Sequence, residues 1–451
     1  MLPTILKFFA SLSILIVLHE FGHFIAARMF GVRVKKFYLF FDFFFPFPNL
    51  ANFSLFKKKV GDTEYGIGWF PFGGYVQMAG IMDESMDEEE LKQPPKPDEF
   101  RSKPAWQRLI ILLGGIIVNI LLAIIIYSGL SWTYGKTSLP NSALENGYYV
   151  DEYGASMGLK NGDLITKVGD HVVEDATKVK ALLFKDIVSE IAIVRDGKDT
   201  TLTIDKSFYE NILENQKSNP VIVEPGFEPI IGELLDGPLK NAGAEIGDQI
   251  IAIDTHRIEF FQEVKSLLEK GSYTSGDTLE IEIQRTEGSS KILSVILDET
   301  GRLGFAADVP LVHEEIGFFQ SLYEGPRRTW NVLLAYVGQF KLIFDKDIKG
   351  YKQLGGFGTI AKAYKPGKDD NPWLHFWSTT AFISIILAFM NLLPIPALDG
   401  GHALFTIYEM ITRRPPPEKF LQYAQTIGML LLLFLMLYAN GMDVVRWLFS
   451  K

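Results

Sequence analysis

The chain has 451 residues, a formal net charge of -10, no cysteine and 47% hydrophobic residues. Its mean hydropathy is +0.13, high for a water-soluble chain of this size. The length suggests roughly three units; the apolar and aromatic content excludes disorder, and the absence of thiols excludes a disulfide-stapled scaffold. The negative charge argues against a nucleic-acid partner. Without cysteine, any metal must be held by His, Asp, Glu or carbonyl oxygen.

In chain order, the first long apolar stretch covers 8–30, and before Arg28 its only ionisable residues are His19, Glu20 and His23. It is too long, too polar in its middle and too weakly basic at its start for a signal peptide, so a retained helix is expected. An aromatic stretch over 37–47 suits either an interfacial dip or plain membrane anchoring. A glycine-rich segment follows at 68–76. The acidic, proline-bearing 81–99 reads as a solvated linker. Residues 109–130 carry no charge, and further apolar runs cover about 373–393 and 420–440. Each of the four runs is near the ~20 residues that cross a bilayer. Arg28, Arg33, Lys35, Lys36, Arg101, Lys103 and Arg108 lie between the first two, and Arg413, Arg414 and Lys419 between the last two. The positive-inside rule puts both connections in the cytoplasm, and 134–371 and both termini outside it.

The outer stretch repeats itself. Gly158-Leu-Lys-Asn-Gly-Asp-Leu-Ile aligns with Gly243-Ala-Glu-Ile-Gly-Asp-Gln-Ile, 85 residues on. The match extends from Val179-Lys180-x-Leu182-Leu183 to Val264-Lys265-x-Leu267-Leu268. Turn, strand, short helix and alternating strands such as 279–283 predict two tandem α+β units. The Gly-x-x-Gly-Asp turn before an alternating strand resembles PDZ domains in their permuted bacterial form, which bind peptide ends by strand addition; a bulky spacer or size filter fits as well. Residues 314–345 are amphipathic, aromatic and interrupted by Arg327, Arg328 and Lys341, as expected of a helix lying at the membrane surface.

The chemistry lies in His19-Glu20-Phe21-Gly22-His23. Residues four apart share a helix face, so His19 and His23 can bind one metal ion, with Glu20 beside them to take a proton from water. Neutral imidazoles at this spacing suit Zn2+. Three ionisable groups within a membrane helix are costly unless they share a partner, which an ion provides. A set of hydrogen-bonded polar core residues is the bland alternative. A catalytic site needs a third ligand, and Asn391-Leu-Leu-Pro394-Ile-Pro396-Ala-Leu-Asp399-Gly400-Gly401-His402 offers two donors. The prolines loosen the helix and the glycines permit unusual backbone, tolerated at membrane depth where it lines a cavity. Spacing does not choose between Asp399 and His402.

Together the His19–His23 motif, the 391–401 motif and Gly68-Trp-Phe-Pro71-Phe-Gly73-Gly74-Tyr75-Val76 resemble the site-2 protease family of intramembrane zinc metalloproteases, most closely the branch of bacterial sigma-E regulator proteases. The likeness covers nearly the whole chain. It implies His19, His23 and Asp399 as zinc ligands, Glu20 as general base, Asn391 in substrate handling, and the segment with Gly73 and Gly74 as a membrane-inserted hairpin that offers a strand edge to substrate. Two departures stand out: 114–119 reads Gly-Gly-Ile-Ile-Val-Asn where the family often has Gly-Pro before the Asn, and a usual proline is missing near 355–362.

The expected fold is thus a polytopic α-helical membrane protein with about four transmembrane helices, a membrane-associated β-hairpin region and two tandem PDZ-like α+β domains. The division expected is 1–136, 137–219, 220–308, 309–371 and 372–451. The resemblance implies a multi-pass enzyme of the bacterial inner membrane, with its PDZ-like domains outside and its active site towards the cytoplasm. It would cut the spanning segments of single-pass membrane proteins within the lipid bilayer, such as anti-sigma factors or signal-peptide remnants, after an upstream site-1 type protease. Rival readings are a non-catalytic PDZ scaffold with a structural zinc, a transporter, and a conventional zinc protease acting on soluble peptides.

Overall fold

The structure is a computed structural model that describes all residues except 1, 44–50, 72, 82–93, 186–187, 215–221, 270–272, 300, 344–350, 352–353, 368–370 and 450–451. Most of the acidic linker and the end of the aromatic stretch therefore lie outside the described residues. Two compact units emerge: 1–135 with 315–336 and 354–451, and 136–314 with 337–353.

The first unit opens with α1 (Leu2–Met29), followed by β1 (Val34–Leu39), β2 (Ser54–Val60), β3 (Thr63–Gly68), β4 (Tyr75–Met78) and the long helix α2 (Ala105–Tyr134). Four helices are long and apolar enough to cross a membrane: Pro3–Met29, Ala105–Tyr134, Pro372–Leu392 and Lys419–Leu448. They match the four apolar runs. Pro372–Leu392 coincides with its run to within one residue, whereas Ala105–Tyr134 extends four residues beyond its run at each end, since helical hydrogen bonding continues past the apolar boundary. Glycines set the approach of α1 to α2: a Cβ on Gly22 would overlap the Gly114 backbone, and one on Gly114 would meet Gly22. Small residues allow this contact where no hydrophobic force drives helices together.

The sheet of this unit has the order β2-β3-β1-β4. β1 runs parallel to β3 and antiparallel to β4, so β4 is an edge strand. A hairpin is present at β2–β3 (54–68), closed at Gly61-Asp62, and not at the segment with Gly73 and Gly74 where one was expected. The glycine-rich segment is instead the crossover from β3 into β4. Parallel pairing of β1 with β3 places β4 on the far side of β1, a long-range choice that local turn signals do not carry.

The second unit contains the repeat, built from β5 (Lys136–Ser138), β6 (Tyr148–Val150), α3 (Glu152–Ser156), β7 (Leu164–Val168), β8 (His171–Val172), α4 (Val179–Leu183), β9 (Glu190–Arg195), β10 (Lys198–Thr203), α5 (Lys206–Glu214), β11 (Val223–Pro225), β12 (Ile231–Leu234), α6 (Pro238–Asn241), β13 (Gln249–Ile253), β14 (His256–Arg257), α7 (Phe261–Glu269), β15 (Thr278–Gln284), β16 (Ser290–Ile296), β17 (Phe305–Ala307) and β18 (Val312–Glu314). Its two four-stranded sheets, β10-β9-β7-β8 and β14-β13-β15-β16, have equivalent topology. The repeated turns match closely. Gly162 and Gly247 have φ of +89° and +90°. The next residues, Asp163 and Asp248, are buried and accept hydrogen bonds from the amides of Lys160 and Glu245, each at 2.8 Å. Arg195 and Arg285 pair with these carboxylates at 2.7 and 3.4 Å, and donate to the carbonyls of Gly158 and Gly243. Each copy encloses its own apolar core.

After the repeat come α8 (Phe318–Ile343), α9 (Phe357–Lys362), α10 (Pro372–Leu392), α11 (Asp399–Thr412) and α12 (Glu418–Phe449). α8 is the predicted amphipathic helix, with Phe318, Phe319, Leu322, Tyr323 and Trp330 exposed. In the first unit α2 is central: Ala123, Ile126, Tyr127 and Leu130 form one core with Ala381 and Ile385 of α10.

Candidate active site

His19 and His23 lie on one face of α1, with their Nε2 atoms 3.3 Å apart. Asp399 Oδ2 is 3.2 Å from each of those nitrogens. Among the described residues these three form the one group of His, Asp or Glu side chains whose donor atoms converge as metal ligands would. Zinc bonds of about 2.0–2.1 Å at tetrahedral angles imply ligand–ligand edges of about 3.3 Å. The triangle therefore has the size of one tetrahedral face and leaves a fourth corner open. Asp399 Oδ2 is buried and makes no hydrogen bond among the described residues. A buried carboxylate oxygen left in this state is costly, so the donor set fits a divalent cation such as zinc.

Asp399 begins α11, just after the irregular stretch 393–398. The unusual backbone is at Ala397, whose φ is +84°, a strained value for a residue with a side chain. The glycines serve another purpose: a Cβ on Gly400 or Gly401 would overlap the carbonyl of Leu392 or Ile395. They let α11 start tight against the end of α10, which brings Asp399 to α1. His402 lines the same cavity and bonds to Gln425, outside the three-residue cluster.

The imidazoles are held from behind by α2. His23 Nδ1 is 2.8 Å from the Ile111 carbonyl, to which it can only donate, leaving Nε2 with its lone pair. His19 Nδ1 lies 3.1 Å from the Asn119 carboxamide. Gly115 leaves room for both rings, since a Cβ there would lie 2.5 Å from His23 Nε2 and 2.7 Å from His19 Nε2. Sequence reasoning did not single out Ile111 or Gly115, nor what Asn119 does. The available signal was Asn119 as the lone carboxamide in the uncharged run 109–130.

His19, Glu20, His23, Asp399, Asn391, Gly73 and Gly74 all line a cavity of about 700 Å³. Glu20 lies beside Val76 of β4, and both line the cavity. A Cβ on Gly74 would meet Ile16 and the Tyr38 carbonyl at 2.6 and 2.7 Å, so glycine there lets the lead-in to β4 lie flush against α1 beside Glu20. Gln425, Met429, Leu432 and Met436 of α12 line the same cavity. A carboxylate next to a three-ligand site in a largely apolar cavity with a strand edge on one side is an arrangement suited to hydrolysing an extended peptide.

The sequence profile of peptidase family M50 matches residues 7–435. The chain belongs to this family. It is accordingly a site-2 type metalloendopeptidase that works in the membrane, a family with which the four helices agree. Similar proteins include one from Vibrio cholerae named "Putative zinc metalloprotease", 28% identical, with 98% of each chain covered. The "Regulator of sigma-E protease RseP" of Escherichia coli is 27% identical, again over 98% of each chain. "Protease RseP" of Yersinia pestis is 27% identical over 97% of this chain and 98% of its own. The bacterial relatives and the four apolar helices agree with a location of this M50 peptidase in a bacterial membrane.

Proposed function

We propose that this M50 peptidase is a zinc endopeptidase that cuts the membrane-spanning segments of other proteins, with His19, His23 and Asp399 holding zinc and Glu20 as general base. The observation that carries the reading is the donor triangle with edges of 3.2, 3.2 and 3.3 Å beside Glu20 on a membrane helix. When bound, zinc supplies Lewis acidity, making water a better nucleophile and polarising a peptide carbonyl. Glu20 would accept the proton that water loses and return it to the departing amine. Its place beside Val76 puts the carboxylate next to the strand edge where a scissile peptide would lie. A spanning helix hides its carbonyls in hydrogen bonds, so substrate must unwind first. The unwound stretch would pair with the outer edge of β4, passing Gly73 and Gly74, where side chains are absent, with Asn391 across the cavity offering a carboxamide to its backbone.

The repeated units of 137–219 and 220–308 are read as PDZ-like, facing the outside, with the catalytic cavity towards the cytoplasmic side; the basic connections 28–36, 101–108 and 413–419 support that orientation. The remaining divisions are 1–136, 309–371 and 372–451. Substrates would be single-pass proteins already trimmed by an upstream protease, as the resemblance to site-2 proteases implies. The test is cleavage of a panel of membrane-spanning substrates by purified protein and its Glu20→Gln variant. The variant should keep its zinc and lose at least about 100-fold in turnover. Turnover equal to the parent's would sink the base assignment.

A further inference from the structure

We infer that Asn119 is a positioning residue for the metal site: its Oδ1 accepts a hydrogen bond from His19 Nδ1–H and so keeps the lone pair of His19 Nε2 turned towards Asp399. The inference rests on the zinc reading above and adds a residue to it. Asn119 is fully buried in α2, inside a run without charge. A polar amide there is costly without a partner. One end of the carboxamide lies 3.1 Å from His19 Nδ1; the other, Oδ1 as drawn, has no hydrogen-bond partner among the described residues. A carboxamide can present either end at the same place. With the NH2 group towards the ring, Nδ1 must carry the lone pair and Nε2 the proton, which blocks metal binding at the atom 3.2 Å from Asp399. With Oδ1 towards the ring, Nδ1 carries the proton and Nε2 is free; one end of the carboxamide is paired with the ring in either orientation, so the tautomer it imposes is what separates the two.

The second arrangement also matches His23, whose Nδ1 can only donate to the Ile111 carbonyl. Both rings then adopt one tautomer, set by two groups of the same helix eight residues apart. The Asn119 backbone is itself fixed, its carbonyl accepting from Ser384 Oγ of α10 at 2.8 Å. Side-chain partners behind a ligating imidazole typically contribute 10–100-fold in metal affinity.

The experiment compares full-length wild type, Asn119→Leu and Asn119→Asp in detergent. Zinc affinity is measured by competition with a chromophoric chelator, and the ligand field by the visible spectrum of the cobalt(II)-loaded proteins. Leucine keeps the volume and removes the acceptor, so affinity should fall 10–100-fold and the cobalt bands should change. Aspartate keeps an acceptor oxygen and should restore both to near wild type. Wild-type affinity and spectrum in Asn119→Leu would overturn the inference while leaving the zinc site standing. So would equal losses in both variants, or a lowered unfolding temperature with unchanged zinc binding, since those are the marks of a mere bundle contact. A wild-type protein that binds no zinc would instead bring down the site reading, and this inference with it.

Discussion

Gly115 is the most exacting test of the site, because Gly115→Ala adds one methyl group and removes no ligand. A Cβ at this position would lie 2.5 Å from His23 Nε2, 2.6 Å from His19 Cε1 and 2.7 Å from His19 Nε2. Ordinary contact starts at 3.4 Å, so the worst shortfall is about 0.9 Å. Metal–ligand distances tolerate only about 0.2 Å, which means the rings cannot yield by this much and still bind. The expected loss in zinc affinity is at least ~100-fold, or about 2.7 kcal/mol. Helix propensity acts in the opposite sense, since Ala is better than Gly by about 1 kcal/mol in a helix interior. Gly129 on the same helix is the control, because a Cβ there meets nothing within 4 Å. Gly129→Ala should therefore keep its zinc. Zinc content after dialysis against graded chelator reads both variants. A Gly115→Ala protein that holds zinc with wild-type affinity would refute the claim that the two ligand rings need the space left by Gly115.

Asp399→Asn should weaken zinc binding, whereas His402→Ala should leave the metal content unchanged; the reverse result would move the third ligand to His402. Deleting 137–305 should allow cleavage of a substrate whose outer domain is intact, and unchanged selectivity would end the idea that these units filter substrates. Asp175 caps the turn at Thr177: burial opposes its ionisation, but hydrogen bonds from Thr177 and Lys178 outweigh this and hold its carboxyl below the ordinary value. Its stabilisation is thus present above the unfolded-state pKa of about 3.9 and is lost as pH falls through the folded-state value. Asp175→Ala should cost roughly 1 kcal/mol at neutral pH, read as faster hydrogen exchange at residues 177–179, with the difference shrinking in acid.

The elements that were legible are those whose signal is local. Four apolar runs became four helices, because bilayer thickness sets a length that hydropathy reports directly. The 85-residue repeat became two sheets of matching topology, because the same Gly–Asp turn imposes the same left-handed glycine and the same buried carboxylate each time. The β-sheet of the first unit was less legible. Its hairpin is β2–β3, and the glycine segment leads into an edge strand, because the parallel pairing of β1 with β3 depends on contacts distant in sequence. The glycines after Asp399 were expected to relax the backbone; they provide space, and the strained residue is Ala397.

By itself the sequence determined the chemistry on offer: two imidazoles four residues apart with a carboxylate between them, no thiol, and a membrane helix to carry them. Helical periodicity is enough to put His19 and His23 on one face, whatever surrounds them. What only the tertiary structure decided was the company these residues keep. Asp399 lies closer to them than His402 because Gly400 and Gly401 seat α11 against α10. Ile111 and Asn119 stand behind the rings, and Gly115 lies against their Nε2 atoms, because glycines let α1 and α2 approach within backbone contact. The contacts made with the two rings join positions about 90 to 380 residues apart, and close packing, to which no local pattern points, sets them.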